Sequence, residues 1–277
     1  MQIAVLSGKG GTGKTTVATN LAHIMGWAYV DCDVEEPNGF IFLKPEIKET
    51  KKVVLPVPKV DKDKCIQCKK CVDACQFNAL AMPKDEIILF EKLCHGCGAC
   101  SLICPVDAID EVHREIGIID IGNNGKIDCL RGVLNIGEPM GGPVISDLKK
   151  MVTEKDALID CAPGTSCNVV KGIKEVDYAV LVTEPTEFGL HDLELAVELV
   201  RKIGIPFGII INRVENTDNL ITKFCKENDI EILGIIPFKR EIAKTYSKGE
   251  LLVEKDDEIR NIFTEIAQKL KEVILCK

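Results

Sequence analysis

The sequence predicts an α/β fold: a mostly parallel sheet with helices on both faces, carrying one small α+β insert. Three observations predict it. An apolar strand, a glycine-rich turn and a helical stretch open the chain. Short apolar runs alternate with helix-period segments through its second half, as parallel sheets require. Between these regions the alternation stops and eight cysteines fall at one spacing, repeated.

Ile3-Ala4-Val5-Leu6 reads as the first strand, and Thr15 to Met25, with Val17, Leu21 and Ile24 on one stripe, as the first helix. Gly8, Gly10, Gly11 and Gly13, with Thr12 among them, allow backbone N–H groups to close around an anion at the helix start. In such a phosphate-binding loop Lys14 reaches the terminal phosphates, and the Thr15 hydroxyl, followed by Thr16, completes a magnesium shell. Trp27 to Val30 is a second strand, ending in Asp31-Cys32-Asp33. Two carboxylates at that strand's carboxyl end sit where open α/β sheets place ligands; a solvated acidic turn is the plain alternative. Lys44 to Lys64, with Pro45, Pro56 and Pro58, reads as a connector holding one short strand at Val53–Val57.

Ala157-Leu158-Ile159-Asp160 is a buried strand closing on an acid, followed by Pro163-Gly164. Strands at 178–182, 206–211 and 230–236 then alternate with helices at 192–202 and 220–228. Asn212 ends one of these strands and Pro237 another. Ile259, Ile262, Phe263, Ile266, Leu270, Val273 and Ile274 form a helical stripe, read as a core-packing face rather than a membrane-lying one.

The chain has 277 residues, 46% apolar and 28% charged, which suits a globular protein. No apolar stretch approaches the roughly 20 residues that span a bilayer, and no secretory leader precedes the first strand. A cytoplasmic protein without stable membrane insertion is therefore expected. A net charge of −8 argues against coating DNA, so no DNA partner is expected.

Fourteen cysteines in a reducing compartment read as metal ligands before disulfides. Cys65, Cys68, Cys71 and Cys75 are followed, 29 residues on at each position, by Cys94, Cys97, Cys100 and Cys104. Three thiolates of each group wrap the corners of a cubane, and the fourth reaches over to the other cluster. One 4Fe–4S centre is thus assigned to Cys65, Cys68, Cys71 and Cys104, the other to Cys94, Cys97, Cys100 and Cys75. Zinc is the main alternative, because paired C-x2-C motifs bind it too. Gln76 stands where the ferredoxin run has proline, and His95, beside Cys94, reads as a surface residue.

Lys9, five residues before Lys14 in Lys-Gly-Gly-Thr-Gly-Lys-Thr-Thr, makes the loop resemble that of the MinD/ParA/Mrp P-loop NTPases, a family that includes the nitrogenase iron protein. The resemblance implies that Lys9 crosses a homodimer interface to the partner's nucleotide. It also implies that Asp33 orients the attacking water, that Asp31 supports the magnesium shell, and that Asp160 holds the magnesium's water. By the same resemblance the Gly164 N–H senses the γ-phosphate, Asn212 bonds the adenine and Pro237 borders it. Cys167 stands where the nitrogenase iron protein keeps an intersubunit cluster ligand, with Cys129 a poor second. Residues 61–112 resemble bacterial two-cluster ferredoxins, which implies an organisation of 1–58 and 114–277 for the ATPase core and 59–113 for the insert.

The implied function is ATP hydrolysis, with ATP, Mg2+ and two 4Fe–4S clusters, coupling dimer closure to electron transfer to a redox partner. The alternatives are an ATP-dependent cluster carrier serving an apo-protein acceptor, and a spatial regulator with structural clusters. Carriers of the Mrp type hold a bridging cluster through a C-x2-C, and no such pair occurs outside the eight-cysteine block.

Overall fold

A computed structural model describes residues 1–152 and 156–275, the last two by backbone alone. Cys276 and the side chain of Ile274 lie outside the described residues. The order opens β1 (Gln2–Leu6), α1 (Lys14–Met25), β2 (Ala28–Cys32), α2 (Gly39–Leu43), β3 (Glu46–Val60). The cysteine block holds α3 (Lys70–Ala74), β4 (Leu80–Ala81), β5 (Ile88–Leu89) and α4 (Ala99–Leu102). Next come β6 (Ile109–Asn123), β7 (Asp128–Leu134), α5 (Gly142–Lys150), β8 (Ala157–Cys161) and α6 (Cys167–Ile173). The chain closes with β9 (Tyr178–Thr183), α7 (Glu187–Ile203), β10 (Phe207–Val214), α8 (Leu220–Glu227) and β11 (Ile232–Pro237). Helices α9 (Arg240–Ser247), α10 (Leu252–Lys255) and α11 (Asp257–Leu275) end it.

Nine strands form one sheet in the order β11-β10-β9-β1-β8-β2-β7-β6-β3. The seven from β11 to β7 are parallel, and β6 and β3 complete the edge in antiparallel pairing. Period-two alternation splits each central strand between two cores. Ala4 and Leu6 face the layer of α5, α6, α7 and α8, where Leu148, Ile173, Val200 and Ile221 are buried. Ile3 and Val5 face the layer of α1, α2, α10 and α11, with Leu21, Phe40, Leu252 and Phe263. Helices on both faces of a mostly parallel sheet are the predicted class.

The connector differs from expectation. Lys44 to Lys64 is mostly one fifteen-residue strand, β3, paired with β6 from Glu46↔Asn123 to Val60↔Ile109. Pro56 and Pro58 are tolerated because β3 is an edge strand, where a missing N–H costs no ladder bond. Val53, Leu55 and Val57 are buried at period two, and Lys and Glu dominate the first seven residues, which blunts the edge. Thr50 and Arg131 bond Asp120 from either side at 2.7 and 2.9 Å, tying the ribbon into the sheet.

Direction decides where the insert lies. Because β7 is parallel to β2 and β6 antiparallel to β7, β3 runs with the parallel strands. Its far end therefore points past the sheet's carboxyl edge. The last residue of β7, Leu134, pairs with Gly117, so Ile109–Ile116 extends beyond the sheet. Eight residues carry the cysteine block about 25 Å past that edge. The ribbon strands cross both expected boundaries of the insert.

Candidate functional site

The carboxyl ends of β1, β2 and β8 converge on one cavity of about 330 Å3, which Lys9, Lys14, Thr15, Thr16, Asp33, Asn212 and Pro237 help to line. Gly11 and Gly13 take φ of +84° and +95°, a conformation that glycine adopts without strain. Gly8 is fixed by close approach: a Cβ there would lie 2.0 Å from the Asp192 carbonyl oxygen of α7. The Gly13 carbonyl accepts from Val17 N–H at 2.9 Å, which starts α1 at the loop.

Lys14 is buried and ion-paired with the fully buried Asp160. Burial pulls the Lys14 ammonium down, but the carboxylates of Asp160, Asp31 and Asp33 outweigh it and hold the pKa above its ordinary range. Asp31 is fully buried as well. Its oxygens accept from Gly39 N–H at 3.0 Å, Asp33 N–H at 3.2 Å and the Tyr29 hydroxyl at 3.1 Å. That carboxylate thus closes the 33–39 loop over its own strand end. Burial and the neighbouring Asp160 push Asp31 well above the usual carboxylate range. Asp33, partly exposed, is pushed up to about 6 by burial, with Lys14 opposing and Asp160 adding.

Lys9 meets Glu184 of its own chain at 2.7 Å, and Arg213 reaches the other Glu184 oxygen at 3.0 Å. Against the burial penalty, these two cations hold the Glu184 carboxyl below its ordinary pKa. Asn212 has both side-chain polar atoms engaged: Nδ2 donates to the Thr12 carbonyl at 2.8 Å and Oδ1 accepts from Arg213 N–H at 2.9 Å. Here it braces the loop. The Gly164 N–H donates to the Ser7 carbonyl at 2.8 Å, drawing the turn after β8 onto the strand end that precedes the loop.

The eight cysteines surround two further cavities. Cys65, Cys68, Cys71 and Cys104 line one; Cys75, Cys94, Cys97 and Cys100 line the other. The repeat is kept in the backbone. Gln67 and Gly96, Lys69 and Gly98, and Asn78 and Asp107 occupy matched positive-φ positions. Ala79 and Ala108 donate their N–H to Cys75 and Cys104 Sγ at 3.3 and 3.2 Å. Among the described residues, no three His, Cys, Asp or Glu side chains converge closely enough to hold a single metal ion. His95 is exposed and stacks on Phe77 with ring centroids 3.7 Å apart. Of the remaining thiols, Cys167 is exposed at the start of α6, and Cys32, Cys129, Cys161 and Cys225 are buried.

A family model described as the CobQ/CobB/MinD/ParA nucleotide binding domain matches residues 3–253. The chain belongs to this family. An uncharacterised protein of Methanocaldococcus jannaschii is 33% identical over 281 residues, 99% of this chain and 98% of its own. An iron-sulfur cluster carrier protein of Pyrococcus horikoshii is 27% identical over 97% of this chain and 85% of its own length. The septum site-determining protein MinD of Pyrococcus horikoshii, solved with Mg-ADP, superposes with a TM-score of 0.62 at 20% identity, over 98% of this chain and 96% of that one. It shares the fold.

Sequence reading within this CobQ/CobB/MinD/ParA chain missed two residues. Tyr29 is fully buried, and its hydroxyl lies between Asp31 and Asp160, 2.9 Å from the latter. Two residues apart in one strand, Tyr29 and Asp31 must share a face, which was a usable signal. Glu184 follows β9 at the carboxyl edge, and nothing local marked it as the partner of Lys9.

Proposed function

We propose that this chain is an ATP hydrolase carrying two 4Fe–4S clusters, in which nucleotide-driven closure of two copies gates electron transfer to a partner. One observation carries the reading: each cysteine cavity takes three thiols from one group and the fourth from the other. That is the exchange the two-cluster pattern demands. Four thiols line each cavity, which is the ligand set that a cubane requires. The N–H bonds to Cys75 and Cys104 Sγ would orient both exchanged ligands.

At the nucleotide site the N–H groups of Gly10, Gly11 and Gly13 and the Lys14 ammonium hold the phosphates. Thr15 and Asp160 complete the magnesium shell, with Asp31 behind them, and the Asp33 carboxylate orients water. Gly164 meets the terminal phosphate, and Pro237 and Asn212 border the base. Lys9 leaves Glu184 to reach the second copy's nucleotide. Bound clusters would supply low-potential one-electron storage. The reading sets the work in the cytoplasm and divides the chain into core at 1–58 and 114–277 and insert at 59–113.

A second reading, an ATP-dependent iron–sulfur cluster carrier, is favoured by the name of the Pyrococcus horikoshii relative. Anaerobic purification with iron and sulfide counts tests both. About eight of each per chain, reversible reduction and no loss to an apo-acceptor support the redox reading. Transfer of clusters to an apo-acceptor supports the carrier. Fewer than about four irons, or no adenine-nucleotide affinity, overturns both.

A further inference from the structure

The two cysteine loops are equivalent in backbone but not in surroundings. In the second loop a Cβ at Gly96 would lie 2.9 Å from Leu55 and 3.0 Å from the Pro56 carbonyl, and one at Gly98 would lie 3.2 Å from Glu111. That loop is pressed against the ribbon, and its cavity is walled by Pro56, Pro58 and Glu111. At the matching positions the first loop carries Gln67 and Lys69 at φ +59° and +63°, where side chains are disfavoured. No ribbon crowds them. Ile66, Gln67, Cys68, Lys69 and Lys70 form an unbroken exposed run, and Ile66 alone is 60% exposed.

Charge separates the loops further. Lys62 pairs with Glu86 and Lys64 with Asp61, but among the described residues neither Lys69 nor Lys70 is in an ion pair. Two cations outside these ion pairs directly follow an apolar Ile66 and an exposed ligand-type cysteine, on a chain of net charge −8. Their counterparts in the second loop are Gly98 and Ala99.

Resting on the two-cluster reading above, we propose that the Ile66–Lys70 loop is the docking surface for a small acidic iron–sulfur electron carrier. Lys69 and Lys70 steer the carrier's carboxylates, and Ile66 provides the dry contact beside Cys68. One electron leaves the reduced carrier and one arrives at the cluster held by Cys65, Cys68, Cys71 and Cys104. No bond forms or breaks. The ribbon-facing loop also exposes its Cys97, but it has Gly98 and Ala99 in place of the two lysines and offers no such cations.

The test uses the full chain, purified anaerobically, with an acidic two-cluster ferredoxin as the probe. Stopped-flow spectroscopy follows reduction of the protein by the reduced probe and, separately, by dithionite. Lys69→Glu/Lys70→Glu should slow reduction by the probe at least about tenfold at low salt, with dithionite reduction and iron content unchanged. Lys69→Arg/Lys70→Arg should restore the wild-type rate, and added salt should slow wild type but not the Glu variant. An unchanged probe rate in the Glu variant with clusters intact overturns the docking surface alone. Absence of iron from wild type overturns the two-cluster reading, and the docking surface with it.

Discussion

Tyr29 links the two acids that end neighbouring strands, since a single buried hydroxyl lies within hydrogen-bond distance of both Asp31 and Asp160. Removing it leaves two buried carboxylates one donor short. Tyr29→Phe should destabilise the nucleotide-free protein by about 1–3 kcal/mol, read from denaturant unfolding. Asp33 gives a pH signature with a definite sign. Its folded pKa stands at about 6 against an ordinary 3.8, so the folded state binds this proton more tightly than the unfolded chain. The stability it lends is full below the lower value and is lost as pH rises through the higher one. Asp33→Asn, which cannot ionise, should melt at a higher temperature than wild type above about pH 7, with the gap closing by about pH 4. Thermal melts across that range check it. On the proposed role of Asp33 in orienting water, ATP turnover by the same variant should fall sharply.

At the scale of elements, the C-terminal stripe and the ribbon show how far periodicity reaches. A 3.6-residue stripe demands an apolar partner, and Ile259, Phe263, Ile266 and Leu270 find theirs in the core beneath α11, each at most 1% exposed. Phe263→Ala should cost about 3–5 kcal/mol in unfolding free energy. Wild-type protein should not sediment with lipid vesicles, because this face is already buried. The ribbon was read less well: Pro56 and Pro58 argued for a connector, and only pairing with β6 at the sheet edge makes a long strand of it. Gly96 records that packing. Gly96→Ala adds a methyl against Leu55 at a left-handed φ of +63°, at a cost of about 1–3 kcal/mol. Melting of the cysteine block, followed by cluster absorbance, should shift down while nucleotide affinity holds.

Across the whole molecule, the parallel sheet and the cysteine block have separate sources of stability. The sheet has two helix-covered cores, whereas the block has only two small clusters of buried residues. If the block holds the two clusters proposed above, removing iron with a chelator should unfold it yet leave ATP affinity and most helical circular dichroism intact. In the proposed reading Lys9 bears on assembly. Within one chain it is held by Glu184, an ion pair partly open to water and so of modest worth. A second copy could therefore draw it away. Lys9→Ala should bind ATP but fail to dimerise with it, and Glu184→Gln should dimerise at lower protein concentration. Sedimentation velocity with a non-hydrolysable analogue distinguishes the two.

The α/β class, the glycine-rich loop between β1 and α1 and the 29-residue repeat of the cysteines were legible in the chain itself. Each depends on near-neighbour geometry: alternation along a strand, glycines in one turn, cysteines at x2 spacing. Tertiary structure decided what depends on contacts between distant segments. It placed Tyr29 between two strand ends, gave Lys9 to Glu184, turned Asn212 onto the loop, and set the cysteine block beyond the same sheet edge as the phosphate loop. It also made two matched loops unequal, because one packs its glycines against the ribbon and the other is exposed throughout Ile66–Lys70.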